Sequence, residues 1–298
     1  MIESGTRIDG RYDVACRIGD GTYGEVFKAR DRRNGQIVAI KVQQSRTLHS
    51  ATEFQSLADQ LDEDLTNAKQ LHGIFGIPTV HDDGWHIGRR YFVMDYIDGQ
   101  QLSRLAESNA PVRTQFAIAT MAQLCTIVGQ VHGRGLLHRD IKPDNVAVRK
   151  DGSVWLLDFG SAIRQDAGDF GPCGTHGYTP PEHLTNAPHT VRTDVYALGA
   201  TLFKMCVLHV PYAKHDGPPK HETPQFPGVP LENIDDVLRE IGLRMVAFDA
   251  NRRPDTAEIL AALEPKLPRQ GERRDPRAPH PDPAEWYRYG RHLRHRAS

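Results

Sequence analysis

The chemistry of this chain is concentrated in a short run of charged and polar residues, His138 to Asn145, with the sequence HRDIKPDN. Within this run, Asp140 supplies a carboxylate that could accept a proton from a hydroxyl group. Lys142 adds a positive charge two positions later, and Asn145 adds an amide whose oxygen could reach a metal ion. The order of carboxylate, ammonium and amide predicts a loop able to perform acid–base chemistry beside a metal.

A second acidic motif, Asp158-Phe159-Gly160, follows at the end of a strand-like run. Aspartate is a hard oxygen ligand, and Mg²⁺ commonly binds to one or two carboxylates together with phosphate groups of a substrate. Taken alone, this triplet would be an ordinary turn. Its place after the Asp140 motif favours a metal-binding role.

A glycine-rich segment, Ile18 to Val26 (IGDGTYGEV), lies between two predicted strands. Gly19, Gly21 and Gly24 lack a Cβ, so the backbone can approach phosphate oxygens closely and point its N–H groups at them. A dinucleotide-binding fold requires a helix directly after such glycines, whereas a strand follows here. The motif therefore indicates either a phosphate-binding loop or a plain glycine-rich hairpin.

The next predicted strand carries Lys41 at the end of the sequence VAIK. Alternation along a strand places Val38 and Ile40 on one face and Ala39 and Lys41 on the other. Alone, Lys41 would be an ordinary surface lysine. Because it follows the glycine-rich segment, it is suited to supply a positive charge to a nucleotide.

Two kinds of local pattern must position these residues. Before about residue 97, short β-branched or alternating runs predict strands, and Asn34-Gly35 between apolar runs predicts a hairpin. Farther on, apolar residues recur mainly at helical spacing. The predicted strands cover 11–18, 25–30, 36–42, 79–82, 91–97, 146–148 and 154–157, and the predicted helices cover 52–71, 113–133, 191–208, 234–247 and 256–263. A small β-rich lobe followed by a larger, mostly helical one is expected.

Composition excludes several classes of protein. The chain has 37 Lys and Arg against 38 Asp and Glu, a net charge of −1, so no nucleic-acid partner is expected from overall charge. No apolar run is long enough to span a bilayer, and no secretory leader begins the chain. The four cysteines, Cys16, Cys125, Cys173 and Cys206, form no Cys-x-x-Cys pair. This cysteine usage predicts a cytoplasmic location.

In this order and spacing, the four motifs resemble those of the eukaryotic-type serine/threonine protein kinases over about residues 12–264. The segment Gly174 to Glu182 (GTHGYTPPE) is similar to the end of a kinase activation segment, although it ends in PPE instead of the commoner APE. Asp194 to Gly199 resembles the central helix of the large lobe. Arg253 resembles the arginine that pairs with the segment-ending glutamate, here Glu182.

The resemblance implies an α+β, bilobed protein-kinase fold. Its small lobe, residues 1–95, would be an antiparallel β-sheet with one main helix, and its larger lobe, residues 96–267, would be mainly helical. The cofactors implied are ATP and Mg²⁺, or Mn²⁺. The partner implied is a protein substrate with a serine or threonine, because Lys142, and Thr175 after Gly174, resemble serine/threonine rather than tyrosine kinases.

The resemblance also assigns roles to individual residues. Asp140 would be the catalytic base, Lys142 would steady the transferred phosphoryl group, Lys41 would hold the α- and β-phosphates, and Asn145 and Asp158 would bind the metal. The remaining residues surround the nucleotide. Gly19, Gly21 and Gly24 would cover the phosphates, Ile18, Val26 and Ala39 would sandwich the adenine, Met94 would be the gatekeeper, and Asp95 and Ile97 would offer backbone groups to adenine.

The acidic partner of Lys41 is not marked by a clean motif. It should lie on the predicted helix 52–71. Glu63 suits the distance to the following strand and is the expected partner, with Asp64 and Glu53 as alternatives.

The activation segment lacks the usual mid-loop phosphorylation site. Between Gly160 and Gly174, the only hydroxyl side chain is that of Ser161. Arg139, which would meet a phosphate, is present, so a carboxylate of Asp166 or Asp169 is expected to take its place, or else both aspartates are simply solvated. The resulting hypothesis is that activity does not require phosphorylation of this segment.

The C-terminal segment, residues 268–298, is Pro/Arg/His-rich, with eight arginines and no lysine against four acidic residues. The prolines predict a flexible tail up to Pro283, and Ala284 to His295 could form a short helix. A regulatory partner for this basic tail, or an autoinhibitory role, is the alternative to a plain flexible tail.

The expected function is phosphoryl transfer from ATP to serine and threonine hydroxyls of proteins, including the chain itself. One alternative is a pseudokinase that binds nucleotide and partners without catalysis; such proteins usually lose Lys41, Asp140 or Asp158 equivalents, and all three are present. Another is a small-molecule kinase of the aminoglycoside or choline type, which generally lacks Lys142 and the GT…PPE segment.

Overall fold

The computed structural model describes residues 2–20, 24–45, 50–109, 112–168, 174–185, 187–212, 224, 226 and 228–294. The chain divides into two compact units. The small unit contains residues 1–73 and 77–97, and the large unit contains residues 74–76 and 98–298.

The small unit is built on a six-stranded antiparallel sheet with the order β1-β2-β3-β4-β6-β5. The strands are β1 (Arg7–Ile8), β2 (Tyr12–Asp20), β3 (Gly24–Asp31), β4 (Ile37–Gln43), β5 (Val80–His86) and β6 (Arg89–Asp95). β3 and β4 pair directly on either side of Gly35, which adopts a φ of 75°, so the predicted Asn34-Gly35 hairpin is confirmed. One face of the sheet buries a core that includes Tyr12, Phe27 and Ile40.

The main helix of the small unit, α1 (Ala51–Gln70), packs against the other face of this sheet. Ser50 starts it with a reciprocal cap: its hydroxyl accepts the Glu53 N–H, and the Glu53 carboxylate accepts the Ser50 N–H at 2.7 Å. Leu61 and Leu65 of α1 pack against Phe92 of β6. Since strand neighbours alternate in direction, Phe92 faces α1 while Tyr91 and Val93 face the other core.

The large unit is mainly helical. Its helices are α2 (Leu102–Ser108), α3 (Thr114–Gly133), α4 (Val191–Val207), α5 (Asp236–Met245), α6 (Thr256–Leu263) and α7 (Ala284–Arg288). α3 and α4 are buried on nearly every side, which places them in the centre of the unit. Capping side chains start the later helices: Thr190 begins α4, Asp235 begins α5 and Asp255 begins α6.

Short strands complete the large unit and hold its loops in place. They are β7 (Gly99–Gln101), β8 (Leu136–Leu137), β9 (Val146–Arg149), β10 (Val154–Leu156) and β11 (Ile163–Arg164). β9 and β10 form an antiparallel hairpin with β7 at its edge, and β8 pairs with β11. The β-rich and helical units together confirm the predicted α+β class, with a small β-rich lobe and a larger, mainly helical one.

The C-terminal segment differs from its prediction in one stretch. The expectation is a flexible chain up to Pro283, but residues 281–283 are buried, as are residues 284–288 of the expected helix. The physical reason is contact with earlier parts of the chain, including the stack of Trp286 on Phe75 and the hydrogen bond from Gln123 to the Pro283 carbonyl. The charges buried with it, Asp282 and Arg288, are paired at 2.8 Å, with side chains 2% and 4% exposed. The expected helix within Ala284 to His295 is confirmed by α7 and by a 3₁₀ turn over Arg291–Arg294.

Candidate active site

The centre of the small unit holds a buried ion pair. Lys41 Nζ lies 2.6 Å from Asp64 Oδ2, and the two side chains are only 4% and 3% exposed. Lys41 is on β4, which lies between β3 and β6, and Asp64 is on α1. The helical face that carries Leu61 also carries Asp64, three residues later. The packing of α1 on the sheet therefore places the Asp64 carboxylate beside Lys41.

This pairing corrects the expectation that Glu63 would be the partner of Lys41. Glu63 is exposed, because each residue of a helix is rotated by about 100° from the last and Glu63 falls outside the buried stripe. Glu53, the other alternative, serves in the cap of α1. The apolar stripe formed by Leu61 and Leu65 was the signal that could have selected Asp64.

The glycine-rich segment spans the ends of β2 and β3. Gly19 pairs with Val26 across these strands, and Val26 in turn lies opposite Lys41 of β4. Gly24 is packed so tightly that a Cβ there would lie 2.9 Å from the Val42 carbonyl oxygen. Ile18 is exposed on β2, and Gly21 lies outside the described residues.

The other expected nucleotide contacts lie on β4, β6 and the chain after β6. Ala39 is buried and pairs with Met94, while Ile97 follows the strand and is half-buried. The Asp95 carboxylate accepts the Thr79 N–H at 2.9 Å, and the Asp95 N–H donates to the Thr79 carbonyl at 3.0 Å. That amide is therefore occupied within the small unit.

In the large unit, three polar side chains surround Asp140 of the loop between β8 and β9, two from the same loop and one from Thr175. Lys142 Nζ donates to Asp140 Oδ2 at 2.8 Å, and Asn145 Nδ2 donates to the same oxygen at 2.9 Å. The Thr175 hydroxyl donates to Asp140 Oδ1 at 2.7 Å and accepts from Lys142 Nζ at 2.6 Å. The structure thus brings Asp140, Lys142 and Asn145 together, as their spacing predicted, and adds Thr175.

Asp194, at the start of α4, holds the backbone of this loop through hydrogen bonds. Its carboxylate is fully buried and accepts the N–H groups of His138 at 2.9 Å and Arg139 at 2.8 Å, as well as His132 Nε2 at 2.8 Å. Burial acts to raise the pKa of Asp194, but these hydrogen bonds and the nearby histidines hold that pKa below its usual value. Arg139 adopts a φ of 63°, a strained conformation that such anchoring maintains.

The β9–β10 hairpin relates the two predicted metal ligands. Asn145 lies directly before β9 and Asp158 lies two residues after β10, and the Leu157 N–H donates to the Asn145 carbonyl at 2.8 Å. Asp158 is exposed and has a φ of 61°. The open end of one hairpin therefore carries both side chains.

The His138 side chain is buried beside this loop. Its ring packs edge-on against Phe159 with centroids 4.7 Å apart, and its Nδ1 accepts the Asp140 N–H at 3.3 Å. Complete burial lowers the pKa of His138 below its ordinary value, so the ring is neutral. A neutral ring can accept from Asp140 and donate from Nε2 to the Leu157 carbonyl, 3.3 Å away.

The expected pair between Arg253 and Glu182 is present. Two parallel contacts of 2.6 and 2.7 Å join the guanidinium to the carboxylate, and Arg253 also donates to the Arg192 carbonyl. The Arg253 side chain is completely buried. This geometry ties the end of the activation segment to the helical core.

The activation segment differs from one expectation. Asp166 makes two 2.9 Å contacts with Arg164, so it is not the carboxylate that Arg139 was expected to meet. Arg139 Nε instead donates to the Ser161 carbonyl at 2.8 Å. The alternative carboxylate, Asp169, lies outside the described residues.

Comparison with known proteins matches residues 12–262 to the protein kinase domain. The chain is 29% identical over 291 residues to a probable serine/threonine-protein kinase PknB of Lactococcus lactis, which covers 91% of this chain and 45% of that protein. It is 30% identical over 291 residues to the serine/threonine-protein kinase PknD of Chlamydia caviae, with 85% and 30% covered. For the serine/threonine-protein kinase pkn3 of Myxococcus xanthus, identity is 26% over 277 residues, with 87% and 50% covered.

The chain therefore spans half or less of the length of these relatives. Among the described residues, no helix combines the length and the apolar character needed to cross a membrane. The match over 12–262, the β-rich and helical units, and the loop organised around Asp140 lead to one conclusion. The chain belongs to the protein kinase domain family.

Proposed function

We propose that this chain transfers the γ-phosphoryl group of ATP to serine and threonine hydroxyls of proteins, including its own, in the presence of Mg²⁺ or Mn²⁺. The observation that carries the proposal is the contact between Asp140 and the Thr175 hydroxyl at 2.7 Å. A threonine hydroxyl already donates to this carboxylate, so Asp140 has the reach and orientation to accept the proton of a substrate hydroxyl. The names of the relatives support a serine/threonine substrate.

Lys142 would serve the same step. Its ammonium group contacts both Asp140 Oδ2 and the Thr175 hydroxyl oxygen. A positive charge at this position can offset negative charge that develops on a transferred phosphoryl group. Because Lys142 and Asp140 share one short loop, the base and the neutralising charge keep a fixed spacing.

The small unit would supply the nucleotide contacts. Lys41, held by Asp64, would contact the α- and β-phosphates, and the backbone of Gly19, Gly21 and Gly24 would cover them. The close approach of Gly24 to the Val42 carbonyl supports a backbone packed to leave no room for side chains. Ile18, Val26 and Ala39 would flank the adenine, with Met94 beside it and backbone groups of Asp95 and Ile97 at its edge.

The donor set of the large unit fits a hard divalent cation. The Asn145 amide nitrogen is used by Asp140, so its oxygen is the atom free to bind a metal, and Asp158 adds an exposed carboxylate. One amide oxygen and one carboxylate match the few protein ligands that Mg²⁺ takes beside phosphates. When bound, the cation neutralises charge on the phosphate oxygens.

We also propose that activity does not depend on phosphorylation of the segment between Gly160 and Gly174. The support is that Arg139 is already held by the Ser161 carbonyl and by the Asp194 carboxylate at its backbone. A mid-segment phosphosite required for turnover would contradict this proposal.

An acidic regulatory partner of the C-terminal segment would contact the exposed arginines Arg269, Arg273 and Arg277.

The test is phosphate transfer from labelled ATP with Mg²⁺ by the purified chain, Lys41→Met and Asp158→Ala, followed by mass-spectrometric mapping of the label. Label on serine or threonine in the wild type, lost in both variants, is the expected result. Nucleotide binding without any label would favour the pseudokinase alternative. If neither label nor nucleotide binding is seen, only the fold assignment would remain.

A further inference from the structure

We propose that the C-terminal segment, residues 281–294, is a positioning element for the β9–β10 hairpin that carries Asn145 and Asp158. This inference rests on the proposed function, because it concerns the metal ligands of that function. The segment lies beyond residues 12–262, which match the protein kinase domain, so it is not part of the matched domain.

The hairpin has two ends with different surroundings. At its open end, Asn145 precedes β9 and Asp158 follows β10. At its closed end, the turn contains Asp151 and Gly152, and Gly152 adopts a φ of 81°. Three antiparallel residue pairs join the two strands, so we expect a shift of the closed end to move the open end with it.

The C-terminal segment packs directly on the closed end. A Cβ on Gly152 would lie 2.7 Å from the Asp282 carbonyl oxygen and 2.9 Å from the Trp286 nitrogen, so the two backbones are in contact. Arg291 donates from its guanidinium to the Asp151 carbonyl. Only glycine permits this approach, since it meets both the positive φ and the missing space.

A buried glutamine joins the segment, the turn and β10. Gln123 of α3 donates from Nε2 to the carbonyls of Gly152 at 3.0 Å and Pro283 at 3.3 Å. Its Oε1 accepts the Val154 N–H at 2.9 Å. All three contacts are buried, so losing the Pro283 carbonyl would expose or unpair part of this network.

An aromatic contact fixes the segment against β10 from another side. Trp286 stacks on Phe75 with centroids 5.0 Å apart and an interplanar angle of 14°, and Phe75 packs against Trp155 of β10 at 5.4 Å. The residue after Phe75, Gly76, accepts the Leu156 N–H at 2.8 Å. Phe75 is thus held between the C-terminal segment and the strand that leads to Asp158.

An ion pair and hydrogen bonds hold the segment in one position on α3. Asp282 accepts the Ala284 N–H at 3.0 Å, at the first residue of α7, and pairs with Arg288 at 2.8 Å in a buried position. Arg288 also donates to Gln115 of α3 at 2.5 Å. A buried ion pair with additional hydrogen bonds gives one defined geometry, because any displacement leaves a charge unpaired.

The first test measures how much Mg²⁺ the full chain needs for half-maximal binding of a non-hydrolysable ATP analogue, with Trp286→Ala, Trp286→Phe and Leu293→Ala compared to wild type. Second-layer contacts typically change metal affinity by 10- to 100-fold, and this support is one layer farther out. We therefore expect Trp286→Ala to raise the Mg²⁺ requirement about three- to tenfold. Trp286→Phe, which keeps the stack on Phe75, and Leu293→Ala, whose side chain is exposed, should stay near wild type.

A second variant covers the case in which Trp286→Ala fails to fold. Gly152→Ala pushes the turn against the segment, and Gly35→Ala is its matched control, since that hairpin glycine has a similar φ of 75° but no neighbour within 4 Å. Hydrogen exchange at the Val154 and Leu156 amides reports how firmly Gln123 and Gly76, which contact the segment directly or through Phe75, hold β10. Faster exchange in Gly152→Ala, together with a raised Mg²⁺ requirement and no such change in Gly35→Ala, is expected.

The outcomes separate this inference from the proposed function. A wild type that shows no Mg²⁺-dependent nucleotide binding would refute the proposed function and this inference with it. A wild type that binds normally, with Trp286→Ala and Gly152→Ala folded and unchanged in Mg²⁺ requirement and exchange, would refute the inference alone. Increased phosphate transfer on loss of Trp286 would also refute it, in favour of autoinhibition.

Discussion

Each unit of this protein has one lysine–aspartate ion pair among its candidate site residues, and these two pairs are built in opposite ways. Lys41 and Asp64 are 23 positions apart, lie 2.6 Å from each other and are almost completely buried. Lys142 and Asp140 are two positions apart, lie 2.8 Å from each other and are 20% and 14% exposed. The first, the buried pair, depends on a helix docking on a sheet, whereas the second, the open pair, forms within one loop.

The difference separates an ion pair with a structural role from one whose groups can take part in a reaction. A buried pair cannot lose a partner without stranding a charge in a low-dielectric interior, so its groups are committed to each other. The more open pair shares its carboxylate with Asn145 and with the Thr175 hydroxyl, and these neutral donors can be exchanged for a substrate hydroxyl at small cost. We therefore expect changes at Asp140 to affect rate, and changes at Asp64 to affect stability as well.

The largest expected effect is on the open pair. Asp140→Asn removes the proton acceptor but keeps the shape of the side chain, so kcat should fall by about 10²- to 10⁴-fold. ATP binding and the unfolding temperature should remain close to wild type, because loop position is set by Asp194. Steady-state kinetics and a thermal-shift assay check this. A loss of stability comparable to the loss of rate would show that the Asp140 pair is structural.

The buried pair should respond in the other way. Asp64→Ala leaves Lys41 buried without this carboxylate, and breaking such a pair typically costs about 3–5 kcal/mol in free energy of unfolding. The control is Glu63→Ala, one position away on the same helix but exposed, which should stay within about 0.5 kcal/mol of wild type. Urea unfolding of both variants measures the difference. Equal effects at the two positions would contradict the ion pair between α1 and β4.

The sequence predicted the open pair well and the buried pair less well, and the reason is physical. Asp140, Lys142 and Asn145 lie within one short loop, so their order along the chain nearly determines their contacts. The partner of Lys41 depends on the rotation of α1 about its axis, and an error of one residue turns the side chain by about 100°. Burial periodicity around Leu61 separates the two acids, whereas distance along the chain does not.

The same distinction explains the C-terminal segment. Its prolines and arginines predicted flexibility, but composition does not reveal a surface to which a segment can dock. The contacts that order it come from Gln123 and Gly152, more than 100 residues earlier in the chain. The α+β class, by contrast, follows from local periodicity, which is why most helices and strands lie close to their predicted bounds.

Acid should act on the open pair through His138. Burial lowers the pKa of this histidine below the ordinary value of about 6.5, so as the pH falls the unfolded chain takes up the proton first. Its contribution to stability is therefore complete above about pH 6.5 and is lost as the pH falls toward the folded pKa, by at most about 1.4 kcal/mol per pH unit. Protonation at Nδ1 would also remove the acceptor of the Asp140 N–H.

The measurement for His138 is a series of unfolding curves between pH 7.5 and 5.5 for wild type and His138→Gln. Burial also lowers the pKa of His86, His183 and His189, which contribute with the same sign, so the difference between the two proteins isolates His138. A smaller loss of stability with acid is expected in the variant. Identical slopes would show that His138 is not the group that links pH to the loop.

The smallest expected effect tests how much of the open pair depends on its neutral partner. Thr175→Ala removes the hydroxyl that donates to Asp140 and accepts from Lys142, leaving the two charges to reorient toward each other. A single hydrogen bond to a charged group is worth about 1.5 kcal/mol, so kcat should fall roughly tenfold with little change in stability. Thr175→Ser retains the hydroxyl and should restore most of the rate. If Ser and Ala variants were equally slow, the methyl group of Thr175, not its hydroxyl, would be what positions the loop, and the reach of Asp140 toward a hydroxyl would lose its structural support.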